Sequence, residues 1–464
     1  MTHPASDIES SSDDKSLAVP WPNVPLPDLL SLIVDNRGRT APVASSGIPL
    51  IATDCIKEDA LYPVRQNLRY VSKETYETWF RGHPEPGDVI LVNKGTPGRV
   101  CQVSAPVDFC IAQDMVSLRA KPGVVDSDYL LAALRSSDFK EQVEGLHVGM
   151  VIPHLKKTDF PHLKIPLPPL AIQKAIGRIY CDLSRKIELN RRLNRTLEEL
   201  AAALFRSWFV DFDPVVAKAA GRQPARLRSD LAALFPATFQ DSPLGPIPKG
   251  WVFRSLGEVL DVKHGYAFAG RFFSDEPTGD ILLTPGNFAV GGGFKDDKLK
   301  YYTGEFPEEY VLQEGDVVLT MTDLSKDGDT LGYPALIPSP TANHRYLHNQ
   351  RLGKVVITSP EAVNICFLYQ VFCSDEYRDE VLASATGTTV KHTAPSRIKA
   401  FSIAFPPSPV MSAFERIVKP WYQQVAQNQK ESRTLAALRD TLLPKLLSGE
   451  LRVKAAEKLV EAHK

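Results

Sequence analysis

Cysteine is scarce in this chain. There are six in 464 residues, at positions 55, 101, 110, 181, 366 and 373, and no two form a Cys-x-x-Cys pair. That excludes the usual zinc and dithiol frameworks and reads as buried, reduced thiols of a cytoplasmic protein. Long apolar runs are missing too: nothing approaches the roughly 20 residues needed to cross a bilayer. Residues 1–20 are rich in Ser and Asp, so they read as a disordered tail and not as a signal peptide. Charge of one sign is also lacking. The net charge is −1, which excludes a surface coated with basic residues and leaves only local patches for any polyanion.

Catalytic signatures are equally sparse. No G-x-x-x-x-G-K-[ST] phosphate cradle, no Gly-rich dinucleotide turn after a strand and no H-E-x-x-H occurs. The Asn/Asp-Pro-Pro-aromatic signature of an amino-methyltransferase is absent as well. Asp323-Leu-Ser-Lys-Asp-Gly-Asp329 imitates the start of a calcium loop, but its twelfth position is Pro334, where a bidentate Glu is required. Asp211 and Asp213 form a carboxylate pair that nothing nearby completes, so they read as capping or linker residues.

What the chain does contain is a second copy of itself. Residues 149–209 align with 387–447 at a constant offset of 238. His154 falls on His392, Pro168-Pro169 on Pro406-Pro407, Asn190 on Asn428 and Arg195-Thr-Leu197 on Arg433-Thr-Leu435. With small shifts the match extends to Trp21 with Trp251 and to Gly87-Asp-Val89 with Gly315-Asp-Val317. Each copy is a variable stretch followed by a long helical pattern.

The composition turns at the two Pro-Pro pairs. We divide the chain into a tail at 1–20, a first module at 21–168, a central helix at 169–210 and a linker at 211–250. A second module follows at 251–406, then a second helix at 407–448 and a tail at 449–464. In the first module, strands are predicted at 48–51, 88–92 and 109–118, with a helix near 128–143. The second repeats the scheme, with strands at 281–284, 317–321 and 354–357 and a helix near 363–383. A short helix is expected near 229–235. The fold class is therefore mixed α/β (α+β): two similar globular modules separated by two long antiparallel coiled-coil helices, in a pseudo-twofold internal repeat.

In the central helix Ile176, Leu183, Asn190, Leu197 and Leu204 recur every seven residues, and Ile179, Lys186, Leu193 and Leu200 follow three later. The second helix repeats this with Phe414, Trp421, Asn428, Leu435 and Leu442, then Ile417, Gln424, Glu431 and Leu438. Both carry Asn at the same seam position, a device that fixes register at a cost in stability. About 40 residues give a rod of roughly 60 Å. Ser412 and Glu415 resemble a capping box at the start of the second helix, and Pro420 is expected to bend it.

The positive chemical signal is polar and basic residues in Gly-containing loops. Candidate DNA contacts in the first module are Asn36, Arg37, Arg39, Lys94, Arg99, His154, Lys156 and Lys157. In the second they are Lys263, His264, Tyr266, Arg271, His348, Asn349, Arg351, Lys391, His392 and Arg397. Lys and Arg neutralise phosphates, and Arg, Lys, Asn and Gln read base edges. Any single one is more often a solvated surface charge; the recurrence in two modules carries the argument.

Several stretches together resemble the specificity subunit of type I restriction-modification systems. They are Ile165-Pro-Leu-Pro-Pro-Leu170 with Gln173, Phe205-Arg-Ser-Trp-Phe-Val-Asp-Phe-Asp-Pro-Val215, Asp241 to Trp251, and Leu442-Leu-Pro-Lys-Leu-Leu-Ser-Gly-Glu-Leu451. The resemblance implies two target recognition domains, each reading one half of a split site in double-stranded DNA. It implies that the helices are a spacer and dock two methyltransferase subunits, with two ATP-driven restriction subunits as further partners. It also implies no catalytic residue, metal or cofactor in this chain: S-adenosylmethionine, ATP and Mg belong to the partners. Two departures stand out, namely the absence of a Gln matching Gln173 after the second Pro-Pro, and Pro420. The alternatives are a self-sufficient DNA-modifying enzyme, revealed by methylation by the chain alone, and a protein-only coiled-coil scaffold, revealed by no salt-dependent DNA affinity.

Overall fold

The computed structural model describes residues 21–36, 40–146, 153–243, 245–296, 298–340 and 344–462. The tail expected at 1–20 lies outside them. The chain divides into two compact units. One comprises Met1–Arg191 with Glu431–Lys464, and the other Arg192–Lys430. Each unit holds one module together with parts of both long helices.

In the first unit a four-stranded antiparallel sheet runs in the order Leu30–Asp35, Met115–Ala120, Val89–Val92, Val100–Gln102. A second sheet places Ile48–Ile51 between antiparallel Arg69–Val71 and parallel Cys110–Ile111. The run 109–118, which reads as one strand, is thus two strands of different sheets joined by Ala112-Gln113-Asp114. Apolar content alone cannot show where a chain changes sheets. The helix expected near 128–143 is also two, Ser127–Leu134 and Ser137–Gly145. The break falls at Ser136, whose hydroxyl accepts from the Phe139 N–H at 3.2 Å and so caps the second helix.

The second unit repeats this plan. Its four-stranded sheet runs Leu260–His264, Leu352–Ile357, Val317–Thr320, Pro334–Leu336, all antiparallel. In its other sheet Asp280–Leu283 pairs in parallel with Tyr346–His348. The helix expected near 363–383 splits at Ser374 into Ile365–Cys373 and Asp375–Ala383, for the same reason: Ser374 Oγ accepts from the Tyr377 N–H. Each module is closed by its ends. Asn23–Pro25 pairs antiparallel with Lys164–Pro166, and Val252–Ser255 with Ser402–Phe405.

The repeated Gly-Asp-Val has a local cause. Gly87 and Gly315 adopt φ of +89° and +85°, which favour glycine. The following carboxylates then close the turn: Asp88 Oδ2 accepts from the Glu85 N–H at 3.0 Å, and Asp316 Oδ2 from the Gln313 N–H at 2.8 Å. Buried Asp88 is also held by the Arg119 guanidinium at 3.0 and 3.1 Å.

The central helix spans Leu170–Phe205 and the second long helix Ser408–Leu447, lengths of about 54 and 60 Å. The second begins directly after Pro406-Pro407, so Ser412 and Glu415 lie inside it and form no capping box. Helical structure also continues through Pro420 without interruption. Gln173 ties the start of the central helix to its module: its side-chain N–H donates to the carbonyls of Val124 and Pro168, and its Oε1 accepts from the Asp126 N–H. At the position of Gln173 the second helix has Met411, whose backbone carbonyl accepts from Asn364 Nδ2 at 3.2 Å. The tie is kept with its chemistry reversed.

Within each unit the two long helices meet antiparallel. In the first, Ser184 meets Arg439, and the Asn190 amide donates to Glu431 at 2.7 Å and to the Ser432 hydroxyl at 3.3 Å. In the second, Asn428 Nδ2 donates to Asn194 Oδ1 at 2.7 Å, and Gln424 Nε2 donates to Asn428 Oδ1 at 2.8 Å. Both Asn190 and Asn428 are buried.

One half of the expected seam is corrected. Ile176, Leu183 and Asn190 are buried, and so is Ile179 in the row three residues later, but the rest of that row leaves the seam: Lys186 is exposed, and Leu193 and Leu200 are 41% and 47% exposed. The partner row is four residues on, not three: Tyr180, Ile187, Asn194, Ala201 and Trp208. In the second helix it is Val418, Val425, Ser432, Arg439 and Leu446. Rows three and four residues away flank the same central row, so periodicity alone cannot choose between them.

The first core joins Leu29, Leu91, Tyr129, Ile176, Ile187, Leu435 and Leu446. Gly177 permits a close backbone approach within it, because a Cβ there would lie 2.5 Å from the Tyr129 nitrogen. The second core is aromatic, with Phe209 tilted against Trp251 and edge-on to Phe367 and Phe414, at centroid distances of 5.9, 5.1 and 5.0 Å. A short π-helical turn at Arg206–Val210 ends the central helix, and Phe212 follows at φ +52°. There Asp213 accepts from the Ser207 hydroxyl and Asp211 from Arg206. Beyond Gly449 a further helix, Val453–Glu461, packs Ala456 into the first core. Among the described residues no helix is long and apolar enough to cross a membrane, and no His/Cys/Asp/Glu group is placed to hold a metal.

Candidate nucleic-acid interface

Four segments converge at one end of the first module. The Asn93 N–H donates to the Asp114 carbonyl at 2.9 Å, and the Leu155 N–H to the Asn93 carbonyl at 2.8 Å. The Gly95 N–H reaches the Pro153 carbonyl at 3.2 Å, and Lys94 bridges to His154. Gln113 Nε2 donates to Thr40 Oγ1 at 3.4 Å, and Lys157 forms an ion pair with Asp35. The backbone thus binds the loops to one another and leaves Lys94, His154 and Lys156 exposed.

The second module builds the same cluster. The Met321 N–H donates to the Arg351 carbonyl at 2.9 Å, and the Thr393 N–H to the Met321 carbonyl at 3.0 Å. Thr322–Asp323 pairs with Lys391–His392, and His392 Nδ1 lies 3.1 Å from Thr322 Oγ1. The Tyr266 N–H donates to the His348 carbonyl, and the Gln350 N–H to the Tyr266 carbonyl. Gly265 is required here, since a Cβ would fall 2.2 Å from the Asn349 carbonyl oxygen. Lys263, His264, Gln350, Arg351 and His392 are exposed, and Tyr266 and Lys391 partly so. Asp323, the head of the calcium-like stretch, is occupied by its own loop. It accepts from Ser325 N–H at 2.6 Å and from Thr330 N–H and hydroxyl at 2.5 and 2.6 Å. Burial opposes its ionisation, but these hydrogen bonds outweigh it and hold the carboxyl below the usual range.

Three candidates are corrected. Asn36 is fully buried, its amide donating to the Ile111 carbonyl at 3.0 Å, so it braces the loop from within. His348 is also buried, with Nε2–H directed to the Leu352 carbonyl at 3.0 Å, and burial pushes its pKa down to about 4. Asn349 is buried and its Oδ1 accepts from the Arg351 N–H, shaping the turn. All three are polar residues in Gly-containing loops, and sequence alone does not separate a loop's braces from its contacts. Arg37 and Arg39 lie outside the described residues.

The remaining candidates scatter. Arg99 is half-buried in a cleft of about 380 Å³ that it shares with Glu58, Asp59, Arg135 and Arg439. Carboxylates there oppose a phosphate. Arg271 is exposed and stacks on Phe272 at 4.8 Å. Arg397 is half-buried in the helix Pro395–Ala400. Missed as site residues were Gln113 in one cluster and Gln350 in the other, beside the buried braces Asn93 and Thr322. Their signal was position on the converging loops, which shows only once the strand order is known.

A module that ends in rigid loops bearing uncharged hydrogen-bonding groups beside exposed cations has the chemistry of a duplex reader. Residues 53–199 match the family model of the type I restriction modification DNA specificity domain. That stretch belongs to this family, and the chain is similar to type I restriction specificity subunits over most of its length. The type I restriction enzyme MjaIX specificity subunit of Methanocaldococcus jannaschii is 24% identical over 412 residues, covering 86% of each chain. The HindI specificity subunit of Haemophilus influenzae is 22% identical over 399 residues, covering 76% of this chain and 84% of that protein. The crystal structure of a type I restriction-modification S subunit from M. genitalium shares the fold, with a TM-score of 0.52 at 15% identity, covering 93% of this chain and 97% of that one.

Proposed function

We propose that this chain is the DNA-sequence specificity subunit of a type I restriction-modification complex. It reads a bipartite target, one half-site with each module, and carries no catalytic residue of its own. The observation that carries this reading is the same four-segment loop cluster built twice, each presenting exposed Lys, Arg or His beside uncharged base-edge groups. Lys94, Lys156, Lys263 and Arg351 grip phosphates or guanine edges. The long helices act as the spacer between half-sites, a role supported by their unbroken helical runs and by the buried asparagines that fix their alignment. Joining two weak readers on one chain raises affinity through effective concentration.

The central helix also offers a surface to partner proteins. Leu193 and Leu200 fall on one helical face and are 41% and 47% exposed. We assign this stripe to docking of the methyltransferase subunits, with restriction subunits joining later. S-adenosylmethionine, ATP and Mg chemistry then belongs to those partners. The test is exchange of residues 21–168 for the equivalent module of a relative, followed by mapping of methylated adenines in host DNA. One half-site should change and the other persist. A change in both halves, or methylation independent of this chain, overturns the reading.

A further inference from the structure

One glutamine recurs in the structure although no constant sequence offset aligns it. In the first module Leu50 and Ile51 pair in parallel with Cys110 and Ile111; in the second Leu282 and Leu283 pair in parallel with Leu347 and His348. Three residues before each of these strands' matching leucines stands a glycine, Gly47 or Gly279. A Cβ on either would strike a carbonyl of the neighbouring strand, that of Val71 at 2.3 Å or that of Tyr302 at 2.2 Å. After the parallel strand the chain makes a three-residue turn into the four-stranded sheet, entering it at Met115 or Leu352. The carbonyl of the last turn residue, Asp114 or Arg351, accepts from Asn93 or Met321 at 2.9 Å in both modules. The turns are therefore equivalent: Ala112-Gln113-Asp114 and Asn349-Gln350-Arg351. Their flanking residues differ and their middle residue is the same.

Resting on the function proposed above, we infer that Gln113 and Gln350 each read one base pair, one in each half-site. Gln350 is exposed and Gln113 partly so, and the turns are fixed by their backbones. Among the described residues no side-chain bond holds the second turn through Gln350, and the one made by Gln113, to Thr40 Oγ1, is long at 3.4 Å and exposed, so its donor can be given up to a base edge. Both stand among the converging loops that carry Lys94 and His154, or Thr322 and His392. Glutamine carries no charge and adds little to phosphate attraction. Its amide sets a donor beside an acceptor, the arrangement that matches N7 and the N6 amino group of adenine in the major groove. A base edge with that pattern is the ligand.

The test uses the full chain assembled with its methyltransferase subunits, and duplexes carrying every base at each position of the methylated motif. For Gln113→Ala, discrimination should fall roughly 5- to 150-fold at one adenine-bearing base pair of one half-site, and the other half-site should be untouched. Gln350→Ala should do the same in the other half. Gln113→Glu, which removes the donor and keeps the acceptor, should move preference at that position from adenine towards cytosine. A selective wild type whose variants keep every preference overturns the assignment alone, as does uniform weakening across all sequences. A wild type without sequence preference overturns the functional reading and the assignment together.

Discussion

The pairing of Asn428 with Asn194 sets a measurable energy. Asn428 is 3% exposed, donates to Asn194 at 2.7 Å and accepts from Gln424 at 2.8 Å. Replacing it with Ala strands the Asn194 oxygen in the seam. Leaving a buried acceptor unpaired costs about 1–3 kcal/mol; Asn194 is only partly buried, so Asn428→Ala should destabilise its unit by about 1 kcal/mol, the low end of that range. Asn194→Ala should cost a similar amount by removing the same bond from the Asn428 amide. If the two act through their shared bond, the double variant loses it only once, and the cycle shows a coupling of about 0.5–3 kcal/mol. Asn194→Leu with Asn428→Leu should recover more, because two apolar side chains of a seam need no partner. Hydrogen exchange at the amides of residues 422–432 reads the local opening energy directly, without requiring the whole chain to unfold as one step. Additive single losses, with coupling under about 0.3 kcal/mol, would refute the shared bond as the source of register.

Three further outcomes are expected. Gly177→Ala gains about 1 kcal/mol of helix propensity but drives a Cβ to 2.5 Å from the backbone of Tyr129; overpacking costs about 1–3 kcal/mol, so the melting temperature should fall, whereas Gly145→Ala, with open space around it, should leave it level or raise it. His348 is held neutral by burial, its pKa falling from 6.5 to about 4. The unfolded chain therefore binds more protons between those values, so stability rises with pH across that window and about 3 kcal/mol is lost as pH falls through it. His348→Gln keeps a donor for the Leu352 carbonyl and should flatten that slope in urea titrations from pH 4 to 7; an unchanged slope assigns it elsewhere. Lys156→Ala should weaken binding to all DNA sequences alike and lower the salt dependence by about one released ion; loss confined to one sequence would make it a base reader.

Much of the architecture can be read from the residues. The repeated Gly-Asp-Val turn and the paired short helices occur in both halves, and the strand expected at 48–51 occurs with those bounds. The errors have a common cause, which is that neighbouring choices look alike without the third dimension. A serine in an apolar helical run such as Ser136 or Ser374 serves equally as an interior residue or as a cap. A row of leucines such as Leu193 and Leu200 flanks the seam as well on one side as on the other. The candidate interface was legible as a set of segments but not residue by residue. Asn36 and Lys94 both sit in polar loops, yet one braces the cluster from inside and the other stands in solvent. The equivalence of Gln113 and Gln350 was hidden because insertions shift the offset between the modules.

The strands that begin and end each module, Asn23–Pro25 beside Lys164–Pro166 and Val252–Ser255 beside Ser402–Phe405, make each head a plug with adjacent pins. Neighbouring strands lie about 4.8 Å apart, so whatever is threaded between them must leave where it arrived. Lengthening the insert by a factor of two costs only about 0.6 kcal/mol of closure entropy. Inserts of quite different size and sequence can therefore occupy the same socket without redesign of the frame that holds it.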